Sequence, residues 1–203
     1  VVHPGFLRTL PPARWRDGLA ELVKHAVVAD AGLLATMEQR AEQLARPGSI
    51  EPALLERGIA VKRALVARDA RERGERAVLN FGHTVGHALE RATEHRLSHG
   101  EAVAIGMVVE GHAACALTGF DRAQLGRLRR LLTRLGLPVS PPPLSIDDLA
   151  PHLAVDKKGR ADGVRLALPR AVGRMEPGPD GSHCVAVERS TLERALDEAG
   201  ACS

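Results

Sequence analysis

Two histidines four residues apart, His83 and His87, sit among glycines and small apolar residues in "LNFGHTVGHALE", residues 79–90. Nothing in that stretch is a strong nucleophile, so the chemistry open to it is metal ligation, a grip on substrate, or proton transfer. On a helix, positions i and i+4 share a face with side chains about 6 Å apart, which lets both imidazoles point at one cavity. Gly82 and Gly86 would allow another backbone or a ligand to come close. The pair alone is equally consistent with two hydrogen-bonded core histidines. It is not the zincin pattern, which needs Glu directly after the first histidine, where this chain has Thr84. A third histidine, His99 in "LSHGEAVAIGM", opens the next helical stretch, where the chain has turned back and can face His83. Two imidazoles and a carboxylate, with open positions for substrate oxygens, are what a catalytic zinc uses. Many Asp and Glu residues could supply the carboxylate, and spacing does not choose among them.

The elements that must carry these residues follow from a mainly helical period. Leu19, Leu22, Val23, Ala26 and Val27 make one apolar stripe, with Glu21, Lys24 and His25 beside it, on a helix from Pro12 to His25 or beyond. A second helix is predicted over Pro52–Arg71, a third holds the His83 stretch, and a fourth runs from near His99 to Gly119 as its C′ residue. Asp121 caps a fifth helix with the stripe Leu125, Leu128, Leu132 and Leu135, stopped by Gly136 and Pro138. After the loop "SPPPL", the segments "VRLALPRAVGRM" and "CVAVE" read as two strands of one hairpin. Ser190 with Glu193 reads as the capping box of a last helix. The expected architecture is a helical bundle with a small β-hairpin.

Composition narrows the function. With 203 residues and 44% hydrophobic content the chain can build a real core. A net charge of +3 is spread over helices that alternate Arg with Asp and Glu, and aromatic residues are only 2% of the chain, which disfavours a nucleic-acid partner. Cys115, Cys184 and Cys202 are far apart, with no CxxC pairing, so neither a disulfide framework nor a cysteine metal knuckle is expected and a reducing cytoplasm fits. The longest apolar run, "AVAIGMVVEGHAACALTG", is interrupted by Glu110 and His112, and no membrane span or signal peptide is expected. The start "VVHPGFLRTLPPARW", without an initiator Met, suggests a fragment.

Taken in order, "GLAELVKHA", "ERAVLNFGHTVGHALE", "LSHGEAVAIGM" and "DKKG" closely resemble the C-terminal domain of the 3-dehydroquinate synthase family, within the sugar-phosphate cyclases. The resemblance covers nearly the whole chain, with residues 1–12 as a remnant of a preceding domain or linker and 13–203 as the helical domain. It implies conversion of 3-deoxy-arabino-heptulosonate 7-phosphate to 3-dehydroquinate and phosphate, with NAD and a divalent metal, Zn²⁺ or Co²⁺. It implies Glu21, His83 and His99 as metal ligands and His87 as a substrate-side residue. It also implies Lys24 and Lys62 as contacts to substrate oxygens, and Arg76, Asn80 and a lysine of "DKKG", Lys157 or Lys158, as substrate and phosphate contacts. Taken without it, Glu21 and Lys24 read as a solvated i, i+3 pair, Lys62 as a snorkelling lysine and "DKKG" as a polar turn. The other histidines, His25, His95, His112, His152 and His183, get no role.

One departure matters. The family carries a glycine-rich loop over the NAD pyrophosphate in an N-terminal Rossmann-like domain, and no GxGxxG occurs here, so the isolated chain is expected to lack most of its NAD site. The complete enzyme is expected to be a homodimer acting on a small phosphorylated sugar acid, without nucleic-acid or membrane partners. The rival readings are another sugar-phosphate cyclase, an iron-type alcohol dehydrogenase relative, and a non-catalytic metal-binding module.

Overall fold

The computed structural model describes residues 4–71, 74–155, 163–178 and 181–201. Its helices are α1 (Pro12–Ala29), α2 (Ala31–Gln39), α3 (Ala41–Leu44), α4 (Pro52–Arg68), α5 (His83–Ala92), α6 (His99–Leu117), α7 (Arg122–Arg134), α8 (Ile146–Val155) and α9 (Arg189–Ala201). Two 3-10 turns, Pro4–Thr9 and Glu75–Asn80, precede α1 and α5. The strands are β1 (Val164–Leu166), β2 (Pro169–Ala171), β3 (Arg174–Met175) and β4 (Val185–Val187).

The core forms around α6. Its sequence is apolar on every side, and 78% of its most apolar window, of mean hydropathy 1.3, is buried by the rest of the fold. A helix that is hydrophobic all round belongs inside a protein or a membrane, and here α1, α5, α7 and α9 pack around it. The only tryptophan, Trp15, joins the core on α1 and donates its indole N–H to the Leu44 carbonyl at 2.8 Å, which ties α1 to α3.

Glycines set how closely α5 meets α6. A Cβ on Gly106 would lie 2.0 Å from the Gly82 carbonyl oxygen and 2.8 Å from the Gly86 nitrogen. On Gly86 it would press on the Ala102 carbonyl oxygen at 3.1 Å and the Val103 Cα at 3.2 Å. Gly82 must also be glycine for its backbone, with φ +78, which ends the 3-10 turn and lets α5 begin at His83.

Most of the predicted elements are present, with specific differences. The Asp121 cap is observed, its carboxylate accepting from Ala123 N at 2.7 Å, and Gly119 takes the left-handed conformation after α6. The second predicted helix stops at Arg68 rather than Arg71, with Asp69 as its C-cap. The opening stretch is not all helix, since Leu79 and Asn80 belong to the 3-10 turn. The expected single hairpin is two small antiparallel sheets. β1 pairs with β4, whereas β2 turns back through Val172 and Gly173 onto β3, because Gly173 at φ +83 allows a turn inside what looked like one strand. Ser190 lies inside α9, which begins at Arg189, so it is not the N-cap residue that a Ser190–Glu193 capping box needs.

The glycine contacts set an expected outcome. Gly106→Ala should lose about 3 kcal/mol in urea denaturation, at the upper end for overpacking, because the added methyl meets backbone that cannot rotate away. Gly18→Ala, where a Cβ meets nothing within 4 Å, should be neutral or gain about 0.5–1 kcal/mol from helix propensity. Equal effects of the two substitutions would refute the packing argument.

Candidate metal centre

Three elements bring the predicted ligands together. Glu21 comes from the middle of α1, His83 from the first residue of α5 and His99 from the first residue of α6. Their ligand atoms lie within 4.8 Å of one another. His83 Nε2 is 3.2 Å and His99 Nε2 3.5 Å from the same oxygen, Glu21 Oε1.

Each imidazole is oriented from behind. His83 Nδ1 is 3.3 Å from the Phe81 carbonyl oxygen, which can only accept, so Nδ1 carries the proton and Nε2 presents a lone pair. His99 Nδ1 is 3.1 Å from Glu90 Oε1, which does the same for the second ring. A ligating histidine held through its other nitrogen by a carbonyl or carboxylate is the usual support of a metal site. Glu90 was missed in the sequence. Its signal was its place at the end of "GHALE", seven residues after His83, which puts it two turns along the same helix.

The donors fit a divalent cation. Around a tetrahedral zinc with bonds of roughly 2.0–2.1 Å, ligand atoms are about 3.3 Å apart, close to the two separations seen. Glu21 Oε1 is buried and accepts no aligned hydrogen bond, since the two nitrogens nearest to it offer lone pairs. An orphaned carboxylate oxygen facing two imidazole nitrogens is the pattern of an ion site with one oxygen and two nitrogen ligands. A second grouping, His87, Glu90 and His99, also has its ligand atoms within 4.8 Å, although Glu90 and His99 are already bonded to each other.

Electrostatics distinguish the Glu21–Lys24 pair from a solvated one. Lys24 is 3% exposed and its ammonium donates to Glu21 Oε2 at 2.7 Å. Burial would push the Glu21 carboxyl up, but the Lys24 ammonium, and the two imidazoles whenever their Nε2 atoms carry protons, hold it well below the usual carboxylate range. Burial pulls Lys24 down, against the attraction of Glu21. His25 is buried behind the pair, and burial together with the Lys24 charge lowers it to about 4.

The remaining predicted residues surround this centre unevenly. The His87 ring centroid is 5.3 Å from that of His83 and 6.0 Å from that of His99. Lys62, on the exposed side of α4, lines an apolar cavity of about 240 Å³ that also reaches Glu21, with Leu10, Trp15 and Ile59 among its walls. Arg76 donates from its guanidinium to the Ala70 carbonyl at 3.3 Å, and its backbone N–H donates to Asp69 at 3.2 Å. Asn80 is half-buried at the end of the same 3-10 turn. Lys157 and Lys158 lie outside the described residues.

Asp17, one turn before Glu21 on α1, was also missed. Its Oδ1 accepts from Ser98 Oγ at 2.6 Å and from Gly100 N at 2.9 Å, which clasps the start of α6 to α1 on both sides of His99. Gly100 permits the clasp, because a Cβ there would lie 2.3 Å from Asp17 Cα. Ser98 and Glu101 complete a capping box on the same turn. Asp17→Ala should therefore cost about 1–3 kcal/mol in chemical denaturation and speed amide exchange at Gly100 more than at core amides of α6. Uniform acceleration along α6 would mean that the carboxylate supports the whole fold rather than this turn.

Residues 18–159 match the family described as 3-dehydroquinate synthase C-terminal. The chain is 40% identical over 179 residues to 3-dehydroquinate synthase of Nostoc punctiforme (strain ATCC 29133 / PCC 73102), covering 85% of this chain and 49% of that protein. It is 40% identical over 200 residues to 3-dehydroquinate synthase of Gloeobacter violaceus (strain ATCC 29082 / PCC 7421), covering 97% and 54%. It thus spans about half the length of these curated relatives. Among solved structures, 2-epi-5-epi-valiolone synthase from Streptomyces hygroscopicus subsp. jinggangensis 5008, with NAD+ and Zn2+ bound, superposes with a TM-score of 0.82 at 29% identity, covering 98% of this chain and 55% of that one. A 2-deoxy-scyllo-inosose synthase shares the fold, with a TM-score of 0.81 at 23% identity over 96% of this chain and 55% of that one.

Proposed function

The chain belongs to the 3-dehydroquinate synthase C-terminal family, and from that premise we propose that it is the metal- and substrate-binding half of a 3-dehydroquinate synthase. The reading rests above all on one observation, the convergence of His83 Nε2 and His99 Nε2 on the orphaned Oε1 of Glu21. The 40% identity to two 3-dehydroquinate synthases supports 3-deoxy-arabino-heptulosonate 7-phosphate as substrate over that of the 29% identical valiolone synthase, whose bound NAD+ and Zn2+ support the same cofactors here.

Glu21, His83 and His99 would hold the metal, and the bound metal and NAD would supply a Lewis acid for substrate oxygens and a hydride acceptor. The chain's own residues do the rest. Lys24 balances the Glu21 charge and, being buried with a lowered pKa, is suited to hydrogen-bond a substrate oxygen. His87 sits beside both ligand rings, where it can hold substrate or carry a proton. Lys62, Arg76, Asn80 and a lysine of residues 157–158 supply point charges, a guanidinium fork and an amide for a phosphorylated acid. Arg76 would give up its bond to the Ala70 carbonyl to engage phosphate.

Metal binding tests the ligand roles. The chain should bind one Zn²⁺ or Co²⁺, His83→Ala and His99→Ala should abolish binding, and His87→Ala should leave stoichiometry near wild type in metal analysis of the folded proteins. Loss in His87→Ala with retention in His83→Ala would favour the alternative grouping of His87, Glu90 and His99, and equal loss in both would refute the separation of His87 from the ligands.

Phosphate release tests the reaction. With 3-deoxy-arabino-heptulosonate 7-phosphate, NAD and zinc supplied, this chain alone should release little phosphate, and adding a separately expressed N-terminal half of a relative should restore release. Substantial turnover by the chain alone would show that it holds NAD without that half. No turnover in the mixture, with docking of the halves verified by size-exclusion chromatography, would count against this substrate.

A further inference from the structure

Glu110 is the one carboxylate of α6 that is wholly buried, 0% exposed, in the middle of its apolar run. Sequestering a carboxylate from water costs several kcal/mol unless its oxygens are well bonded. Both are: Oε2 accepts from Gly82 N at 2.7 Å and Oε1 from Val85 N at 3.1 Å. Burial pushes its carboxyl up to about 8, with the amides of Val85, Gly82 and Thr84 pulling the other way.

These amides belong to the first turn of α5, whose first residue is His83. The first N–H groups of a helix have no partner within it and are ordinarily met by a side chain at the N-cap position. The N-cap residue of α5 is Gly82, which has no side chain to offer. It cannot be exchanged for Ser or Asp, because a Cβ there would lie 2.5 Å from Met107 Cγ and 2.9 Å from the Val103 carbonyl oxygen, on a backbone already at φ +78. The close approach that forbids a local cap brings α6 within reach, and Glu110, one turn after Gly106, caps the neighbouring helix instead.

We propose that Glu110 is a positioning residue for the metal centre: by fixing the amides of Gly82 and Val85 it sets where the His83 imidazole stands relative to Glu21 and His99. His83 lies between those two amides in the chain, and its ring is held to the carbonyl of Phe81, the residue before Gly82. Backbone and ring of this turn are thus fixed from two directions, by Glu110 on the amides and by Phe81 on the imidazole. A carboxylate suits the task because both oxygens accept, one for each amide. This inference rests on the metal reading given above.

The test uses Co²⁺ with the whole chain, reading its dissociation constant and its visible absorption, alongside stability measured without metal. Glu110→Gln keeps shape but sets an amide NH₂ against one of the two N–H donors. It should weaken Co²⁺ binding by about 10- to 100-fold, the usual range for residues that support metal ligands, and change the absorption bands at full folding by circular dichroism. Glu110→Asp, which keeps the carboxylate but draws it back by one methylene, should weaken binding as well, and gives a second measurement should the Gln variant not fold. Leu128→Ala, a core change in α7, should lower stability and leave the Co²⁺ constant and bands unchanged. Wild-type affinity and bands in a folded Glu110 variant would overturn the inference while leaving the metal reading intact. Equal weakening in Leu128→Ala would overturn it too, by reducing the effect to stability. A wild-type chain that binds no Co²⁺ would bring down the metal reading itself, and this inference with it.

Discussion

The near-contact of α5 with α6 is the constraint on which the rest of the arrangement depends. Backbone meets backbone there, with no room for a Cβ on Gly82 or Gly106 and little for one on Gly86. At such a distance side chains no longer set the spacing, so two helix starts can be held in one register without relying on flexible contacts. His83 and His99 are the first residues of those two helices. Their ring centroids are 5.3 Å apart because the backbones beneath them touch. The local cost is capping: where glycine is required for space, it cannot also bond the orphaned amides of the helix it precedes.

Carboxylates from neighbouring elements make up for that. Asp17 on α1 accepts from Ser98 and Gly100 at the start of α6, and Glu110 on α6 accepts from Gly82 and Val85 at the start of α5. Each bond joins a carboxyl oxygen to the start of a helix, where N–H groups lack partners, and each spans two elements that carry candidate ligands. Asp69 works in a similar way at the end of α4, accepting from Gly74 N at 2.8 Å and Arg76 N at 3.2 Å, while Arg68 and Glu75 close the same turn with two bonds of 2.7 Å. The frame is therefore linked by capping interactions that act between helices, and a long-range hydrogen bond of this kind fixes both distance and rotation, which apolar packing alone does less well.

How much of this was legible in the sequence depended on whether the signal was local. The stripes of α1 and α7, the Asp121 cap and the glycine after α6 are properties of short windows, and they were read correctly. Three helices were not anticipated. α2 follows α1 with only Asp30 between them, its carboxylate capping Leu33 N at 2.9 Å, and α3 is a single turn. α8 contains Pro151, which reads as a breaker. At the site, the shared face of His83 and His87 and the nearness of His99 followed from spacing, whereas Glu21 could be picked only through family resemblance, because its approach to His83 is tertiary. Asp17, Glu90 and Glu110 carried no motif of their own. Glu110 was visible only as a charge interrupting an apolar run, and nothing in that window showed that it bonds the start of α5.

The candidate centre is left unsatisfied by protein atoms alone, and this is informative about its occupant. Glu21 divides its two oxygens: Oε2 takes a hydrogen bond from Lys24, and Oε1 faces two nitrogens that cannot donate to it while their protons are held by Phe81 and Glu90. A chain under no demand to bind anything could relieve this by turning either imidazole over, so that Nδ1–H or Nε2–H pointed at the carboxylate. The Phe81 carbonyl and the Glu90 carboxylate oppose that rotation, holding three acceptors around one point. Three acceptors and no donor suit a cation. The charges lead to the same conclusion about what comes next to it. Glu21 and Lys24 offset each other, as do Asp17 and Arg14, so a divalent ion would outweigh the Glu90 carboxylate bonded to His99 and leave a net positive pocket open on the side of His99, whose side chain is 40% exposed. A pocket of that sign, with Lys62 on the adjoining cavity wall, attracts an anionic ligand and disfavours a neutral one.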